Sequence, residues 1–468
     1  MLDIQHRMHP QIADFAGNAM YQGLLKSAPD MEKKTIGIVQ SAPMAPIPMQ
    51  LLDLSGMLSV CKNTPDRLPV NVLSALFSMA LAIEAAGKYE VGIITPYSAQ
   101  SRLLHAMARD VAENYPDLNK IACATVHQFQ GSEKDMIIFD AVDCYRSPYP
   151  GRMLTLQVND YANRLFNVAL TRAKGKMIAV ANRDYMKSKG IADGLMFTGF
   201  LDTCARQKMT GNTLYRDFNQ SVIQMTADGR LDSQFEKDLR NAEREILIDI
   251  PGQMENTNGY AADLTLLLNN AKKRKIRVIV RAENKPALPE YLRNMAIGNE
   301  YVYNPVTMID RKSIWFGQPH SMAAFQAEGK TLETICRPVI RFEGKYTGRV
   351  LYGFLEMNQT IERTVNTDGA ASGFPGFAQK NIRCSQCGAS MQVKISKRGT
   401  FYMSCSAYPK CRNMEYVQVE TVQDYLNSNG GKRCPVDHTL LKVKAGNRGV
   451  RIYCSNNEER HFFKLDEI

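Results

Sequence analysis

KIACATVHQFQGSEKDMIIFDAV, residues 120–142, is two apolar runs joined by a polar turn. Runs this short, apolar without polar alternation, are predicted to be strands buried on both faces, as in a parallel sheet covered by helices. The same pattern recurs outward from it at IGIV (36–39), MQLLDL (49–54), VGIITP (91–96) and KMIAVAN (176–182). Helical patterning fills 69–86, 98–113 and 161–173 between them. The alternation predicts an α/β domain with a mostly parallel sheet over residues 1–190.

Residues 191–230 carry no clear period and read as a connector. A second α/β domain is expected over 231–360, from a helix (LDSQFEKDLRNAE), a strand (REILIDI), a helix (ADLTLLLNNAKKRK) and a strand (IRVIVRA), with apolar pieces at 301–309 and 314–316 extending its sheet. Gly and Ser gather at TDGAASGFPG, so 361–380 reads as a linker. Two small units follow at 381–420 and 430–468.

The chain has 468 residues, 44% of them apolar, which excludes wholesale disorder. Lys and Arg outnumber acids by 58 to 47, a net charge of +11 that favours a polyanionic partner. No run of 18 apolar residues and no signal-like N-terminus occurs, so a cytoplasmic chain without membrane contact is expected.

Polar residues at the carboxyl ends of parallel strands are natural site residues. Three segments stand out in such loops and at nearby helix ends: Gln5-His6-Arg7-Met8-His9-Pro10 opening the chain, Thr125 to Glu133 between two expected strands, and Asn167-Val168-Ala169-Leu170-Thr171-Arg172-Ala173-Lys174 ending a helix just before a strand. Arg172 and Lys174 also fit a plain role capping a helix C-terminus. With Thr95-Pro96-Tyr97-Ser98-Ala99-Gln100, this ordered set resembles the second RecA-like motor domain of superfamily 1 helicases of the 5′-to-3′ branch; His6 stands where that family usually has tyrosine. The resemblance implies that Arg7 and Arg172 face an ATP γ-phosphate across a cleft, Arg172 as the arginine finger. It implies that Gln5 and Glu133 join the nucleotide site, Glu133 on the ribose or within the cleft network. Gln130 and His127 would couple nucleotide to strand, and Thr95, Tyr97 and Thr125 would lie near the nucleic-acid backbone.

That family also needs a phosphate loop, GxxxxGK[ST], and an acidic pair for Mg2+. Gly329-Lys330-Thr331 comes nearest, but Ala324 stands where a glycine is required. The expectation is therefore a C-terminal helicase fragment that uses ATP and Mg2+ only with a first motor domain supplied by another chain, or a truncated or disrupted frame of a larger helicase.

Residues 231–320 resemble half of a phospholipase D-like domain. With Asp310 at the family's aspartate, Tyr303 and Pro305 fall where its histidine and lysine belong, so the chemistry is expected to be lost. Asp310 and Arg311 read equally as a turn between strands, and a nuclease is the third-ranked reading.

Residues 380–468 hold 15 Lys and Arg against 8 Asp and Glu, and six of the eleven cysteines. Cys384-x₂-Cys387, then Cys405-x₅-Cys411, is a soft four-ligand set suited to structural Zn2+. The stretch resembles the four-cysteine ribbon of type IA topoisomerases, which implies single-stranded DNA as partner, RNA not being excluded. Phe401, Tyr402 and Tyr408 would stack on bases, or form the ribbon's core; Lys397, Arg398, Lys410 and Arg412 would meet phosphates. A second, degenerate ribbon would bind zinc through Cys434, His438, Cys454 and His461, or stand metal-free. A zinc-dependent nucleic-acid-binding protein without an ATP role is the alternative reading.

Overall fold

The computed structural model describes residues 3–57, 59–147, 149–190, 194–205, 209–210, 222–226, 232–252, 260–299, 301–317, 324–327, 330–333, 338–356, 373–395, 401–428, 432–434, 439–446, 449–456, 461–463 and 465. The chain divides into two compact units, 1–355 and 356–468.

The apolar runs become β1 (Met49–Asp53), β2 (Val91–Thr95), β3 (Ile121–Thr125), β4 (Lys134–Asp140) and β5 (Ala173–Ala181). With β6 (Met209–Thr210) they form a sheet of order β6-β1-β5-β4-β2-β3, parallel throughout. One face carries Leu51, Ile94, Ile137, Phe139 and Met177 into a core shared with α1 (Pro10–Met20), α5 (Tyr161–Leu170) and α6 (Met196–Cys204). Met136 and Ile138 alternate with Ile137 and Phe139 and are equally buried, so the sheet is covered on both faces. That double burial is why these strands read as continuous apolar runs.

IGIV departs from expectation: it ends helix α2 (Met31–Val39). Met31, Thr35 and Val39 are buried at a four-residue spacing, the helical period, while Ile36 faces outward. Helices α3 (Val72–Ala86) and α4 (Ser98–Asn114) complete this part.

The second sheet holds β7 (Ile223–Thr226), β8 (Glu245–Ile250), β9 (Arg277–Ala282), β10 (Ala296–Gly298), β11 (Val306–Ile309), β12 (Ser313–Phe316) and β13 (Val339–Glu343). Its order is β7-β13-β12-β11-β8-β9-β10; the β8-β9-β10 end is parallel and the rest antiparallel. Helices α7 (Asp232–Arg240), α8 (Tyr260–Lys273) and α9 (Lys345–Phe354) accompany it. Trp315, the sole tryptophan, is fully buried edge-on against Phe235. The stretch read as a connector thus supplies an edge strand to each sheet.

The two sheets are joined by a borrowed helix cap. The Asp110 carboxylate of α4 accepts hydrogen bonds from the backbone amides of Tyr346 (3.1 Å) and Thr347 (2.8 Å) and from the Thr347 hydroxyl (2.7 Å), at the start of α9. Those amides have no partner within their own helix. Gly344 at the N-cap has no side chain to serve them, and a Cβ there would stand 2.2 Å from Asp110 Oδ2. Lys345 pairs with Glu113 at 2.6 Å beside it. At a second joint, Arg146 pairs with Glu283 at 2.6 Å and lies over the Tyr303 ring. Asp110→Ala leaves buried donors unmatched and is expected to cost roughly 2–3 kcal/mol. Urea unfolding followed by Trp315 fluorescence measures it; Asp110→Asn, which keeps an acceptor, should cost less.

The second unit holds α10 (Gly373–Asn381), β14 (Met391–Ile395), β15 (Phe401–Cys405), β16 (Met414–Tyr416), α11 (Val419–Asn427), β17 (Leu441–Gly446), β18 (Gly449–Cys454) and β19 (Phe462–Phe463). The strands make two antiparallel three-stranded sheets, β14-β15-β16 and β17-β18-β19. Phe374, Met391, Met403, Val422, Tyr425 and Ile452 form one core beneath both. The stretch read as a linker therefore ends in a helix whose Phe374 is buried against Tyr425.

Candidate nucleotide and metal sites

Parallel strands deliver three of the sequence motifs to one place. The Gln5 amide ties the N-terminal turn: Oε1 accepts from the Arg7 (2.8 Å) and Met8 (2.7 Å) amides, and Nε2 donates to Met8 O (2.9 Å) and Ser27 Oγ (2.8 Å). Arg7 Nε then reaches Glu133 Oε2 at 2.6 Å, and its Nη1 donates to Thr171 O at 3.4 Å. Arg172 donates from Nε to Val168 O (3.1 Å) and from Nη1 to Ser132 O (3.4 Å). Burial, and then the neighbouring Arg7, hold the Arg172 guanidinium below its usual range. Lys174 lies 3.8 Å from Glu133 and 3.6 Å from Asp135. A cleft of about 730 Å³ opens here, lined by Gln5, His6, Arg7, Lys34, Glu133 and Lys174 among others; Arg172 is not in its lining but feels the charges of Arg7 and Glu133.

Arg7, Arg172 and Lys174 outnumber Glu133 and Asp135, so the cluster suits an anion. The Arg7–Glu133 pair is nearly half exposed, so an entering phosphate displaces it at little cost. Lys34 and Asp135 escaped the sequence reading; Lys34 sits on a helix that was read as a strand. Thr125 bonds Gln128 at 3.0 Å, and His127 and Gln130 are exposed on the turn before Gly131, whose φ is +90°.

Thr95 and Tyr97 have their side chains turned inward. Thr95 is fully buried, and its hydroxyl finds no partner among the described residues. Tyr97 is buried too, donating to Asp143 Oδ2 at 2.5 Å, while Gly151 N reaches Asp143 Oδ1 at 3.2 Å. Gln100 is likewise consumed inside, bonding Asp140 Oδ2 at 2.7 Å and Asn71. In this conformation neither hydroxyl reaches a surface where a strand would lie; the segment's polar atoms build the interior instead.

Burial pushes the Asp143 carboxyl up to about 7, against the pull of its bonds from Tyr97 and Gly151, and Asp140 up to about 6. A carboxyl raised above its unfolded value stabilises the fold below about pH 4 and loses that contribution as pH rises through its folded value. Residues 1–355 are therefore expected to be less stable at pH 8 than at pH 5, with Asp143 contributing about 2–3 kcal/mol of the change. Asp143→Asn should flatten most of that slope in urea melts across this range, whereas an unchanged slope would place the titration elsewhere.

In the second unit, the ligand atoms of Cys384, Cys387, Cys405 and Cys411 lie within 4.8 Å of one another. Cys384 Sγ is 3.7 Å from Cys411 Sγ, and Cys387 Sγ is 3.4 Å from Cys405 Sγ. Four thiolates around Zn2+ with bonds of about 2.3 Å stand about 3.8 Å apart, so the set fits a tetrahedral ion. Burial works against the Cys384 thiolate, but Asn413 and the Gln386 and Cys387 amides overcome it and hold the thiol at about 6.

Cys434, Cys454 and His461 form a second group. His461 Nδ1 lies 3.7 Å from Cys434 Sγ and 3.5 Å from Cys454 Sγ, near the roughly 3.6 Å of a mixed sulfur–nitrogen tetrahedron. His438, the expected fourth ligand, lies outside the described residues, as do Lys397 and Arg398. Tyr408 is 66% exposed and Lys410 is exposed; Phe401 and Tyr402 are half-buried. Tyr402 pairs across strands with Tyr416, which is 76% exposed and which the sequence reading missed, although MEY alternates as an edge strand should.

The phospholipase D-like alignment gains no site from this geometry. Tyr303 and Asp310 lie beyond opposite ends of β11, and Asp310 sits with Arg311 in the β11–β12 turn.

Residues 1–184 match the family described as AAA domain, and residues 381–419 the Topoisomerase DNA binding C4 zinc finger. A Regulator of nonsense transcripts 1 homolog of Arabidopsis thaliana is 30% identical over 199 residues, covering 42% of this chain and 15% of its own length. Helicase sen1 of Schizosaccharomyces pombe is 29% identical over 204 residues, covering 42% of this chain and 11% of its own. The chain thus spans only a small part of these relatives. Among solved structures, a phospholipase D family member, Nuc from Salmonella typhimurium, overlaps 30% of this chain and 93% of its own at 14% identity and a TM-score of 0.22. No helix among the described residues is long and apolar enough to cross a membrane. The N-terminal 184 residues are thus similar to an AAA domain and to a segment of these helicase relatives, and residues 381–419 to a four-cysteine zinc finger.

Proposed function

We propose that this chain supplies the arginine-bearing wall of an ATP site in a superfamily 1 helicase and grips single-stranded DNA through its zinc ribbons. The convergence of Arg7, Arg172 and Lys174 around Glu133 carries this reading: three cations in one cluster, beside a cleft of nucleotide size. Arg172 acts as the finger, Arg7 as a second phosphate donor, and Glu133 holds both Arg7 and Lys174 until phosphate arrives. The 468 residues hold no phosphate loop, so Mg2+ and the phosphate cradle come from a separate phosphate-loop domain. DNA is favoured over RNA by the ribbon, whose exposed Tyr408 and Tyr416 offer stacking faces beside Lys410.

The test is reconstitution. The chain alone should hydrolyse ATP at background rate, and adding a phosphate-loop helicase domain with single-stranded DNA should produce turnover. Robust DNA-stimulated hydrolysis by the chain alone sinks the split-site reading. Failure of photoreactive ATP to label the mixture at residues 5–7 or 172–174 favours a nucleic-acid-binding protein with no ATP role.

A further inference from the structure

One end of the central strands of the second sheet gathers cations around a buried acid. Glu245, at the start of β8, is buried, and its carboxylate is shared by two arginines: Arg277 Nη2 bonds one oxygen, and Arg311 Nε the other at 2.5 Å. Both guanidinium side chains remain over 40% exposed. Arg311 is fixed from a third direction, its guanidinium 3.5 Å from the Tyr352 ring centroid. Arg244 lies alongside, donating from Nη2 to Asp310 O at 3.2 Å, while Arg277 N donates to Arg244 O at 3.0 Å.

Three of the acids near these cations are already engaged, while the exposed Glu243 precedes Arg244. Glu245 is taken by the two arginines. The Asp310 carboxylate accepts the backbone amides of Glu243 (2.9 Å), Arg244 (2.7 Å) and Glu245 (2.9 Å). Glu343 pairs with Lys312 at 2.8 Å and Arg341 at 3.1 Å.

The backbone is also shaped to place cations here. Asp310 and Arg311 have φ of +53° and +55°, and Lys275, just past α8, has φ of +65°. Glycine or asparagine is favoured at such positions, at a helix end and in a hairpin turn. The chain instead carries Arg311 and Lys275. The turn is supported from beneath, where a Cβ on Gly348 would stand 1.9 Å from Arg311 O. Disfavoured backbone held so firmly marks a position whose side chain is used.

We propose that Arg244, Lys275, Arg277 and Arg311 form a phosphodiester-binding surface that takes the backbone of a nucleic-acid strand. Two guanidinium groups pre-oriented on a buried carboxylate lose little freedom when a phosphate arrives, and they keep a net positive charge between them. The contacts are to phosphate, so they position the strand without reading its sequence. The surface rests on the proposed function in one respect, that nucleic acid is the ligand of this chain.

The test uses the full chain and a fluorescein-labelled oligothymidylate strand, with anisotropy followed against salt. Glu245→Gln/Arg277→Gln/Arg311→Gln removes the pair without stranding a buried charge. It is expected to weaken binding about tenfold and to flatten the slope of log affinity against log salt by about 1.4, two phosphate contacts' worth. Hydrogen exchange on the unmodified chain should show residues 243–246 and 310–312 protected by the oligonucleotide, and that footprint decides the matter if the variant misfolds. Binding by the unmodified chain with no such footprint, or an unchanged slope in a folded variant, overturns the surface while leaving nucleic-acid binding intact. No binding by the unmodified chain overturns both.

Discussion

Zinc chelation of this chain is expected to unfold residues 384–416 while residues 1–355 stay folded. The ribbon is three short strands that contribute little beyond Met391, Met403 and the cysteines to the core they share with the neighbouring helices and the second small sheet. So small a unit lacks the buried apolar area to offset the entropy of ordering its backbone. The metal supplies the difference: apparent binding energies of about 10–16 kcal/mol for structural zinc exceed anything a single side chain contributes. With the ion gone, four thiols within 4.8 Å of one another lose the group that draws them together.

Hydrogen exchange before and after chelation should show loss of protection across Met391–Ile395 and Phe401–Cys405, with Trp315 fluorescence unchanged. A colorimetric zinc indicator, read as thiols are titrated, should release two ions per chain, the second from the Cys434, Cys454 and His461 group. Retained protection after complete metal removal sinks the structural role of zinc. Release of one ion assigns it to the four-cysteine site and leaves the second group metal-free.

The first sheet was legible in the sequence for a physical reason. A parallel strand covered on both faces has no polar position, so Ile93, Ile94, Ile137 and Ile138 announce it whatever their direction. IGIV misled because four apolar residues fit a strand or one helical turn equally, and only the burial of Met31, Thr35 and Val39 separates them. Strands β6 and β7 were hidden because two and four residues carry no period. The four-cysteine site was readable from spacing alone, since knuckle geometry is local. The Glu245–Arg277–Arg311 cluster was not, because it depends on which residue of β9 stands opposite Glu245 and on where the β11–β12 turn falls. Thr95 and Tyr97 show what a motif leaves open: it marks a segment, but which side chains turn inward is decided by the neighbouring strands.

Arg172→Ala should abolish most ATP turnover in the reconstituted assembly, by about a thousandfold or more, with little change in folding. The guanidinium makes two hydrogen bonds to backbone carbonyls, at 3.1 and 3.4 Å, from a partly exposed position. Losing these costs the fold little. Its electrostatic setting is different: burial and the adjacent Arg7 both disfavour its charge. Two like charges held together await an anion, and the charge that develops on the transferring phosphoryl group relieves their repulsion most in the transition state. The loss is therefore expected in kcat, with a much smaller change in KM for ATP. Arg172→Lys should recover little, since an ammonium cannot fork onto two oxygens. Arg7→Ala should also lower kcat and, by leaving Glu133 with Lys174 as its remaining cation, make the cleft less positive and raise KM. Glu133→Gln, which releases Arg7 without adding charge, should change kcat far less than either arginine variant. If Arg172→Ala turned over ATP within a few-fold of the unmodified chain, with matching Trp315 fluorescence, the finger would have to come from elsewhere, and the arginine pair would be no more than a helix end beside a surface ion pair.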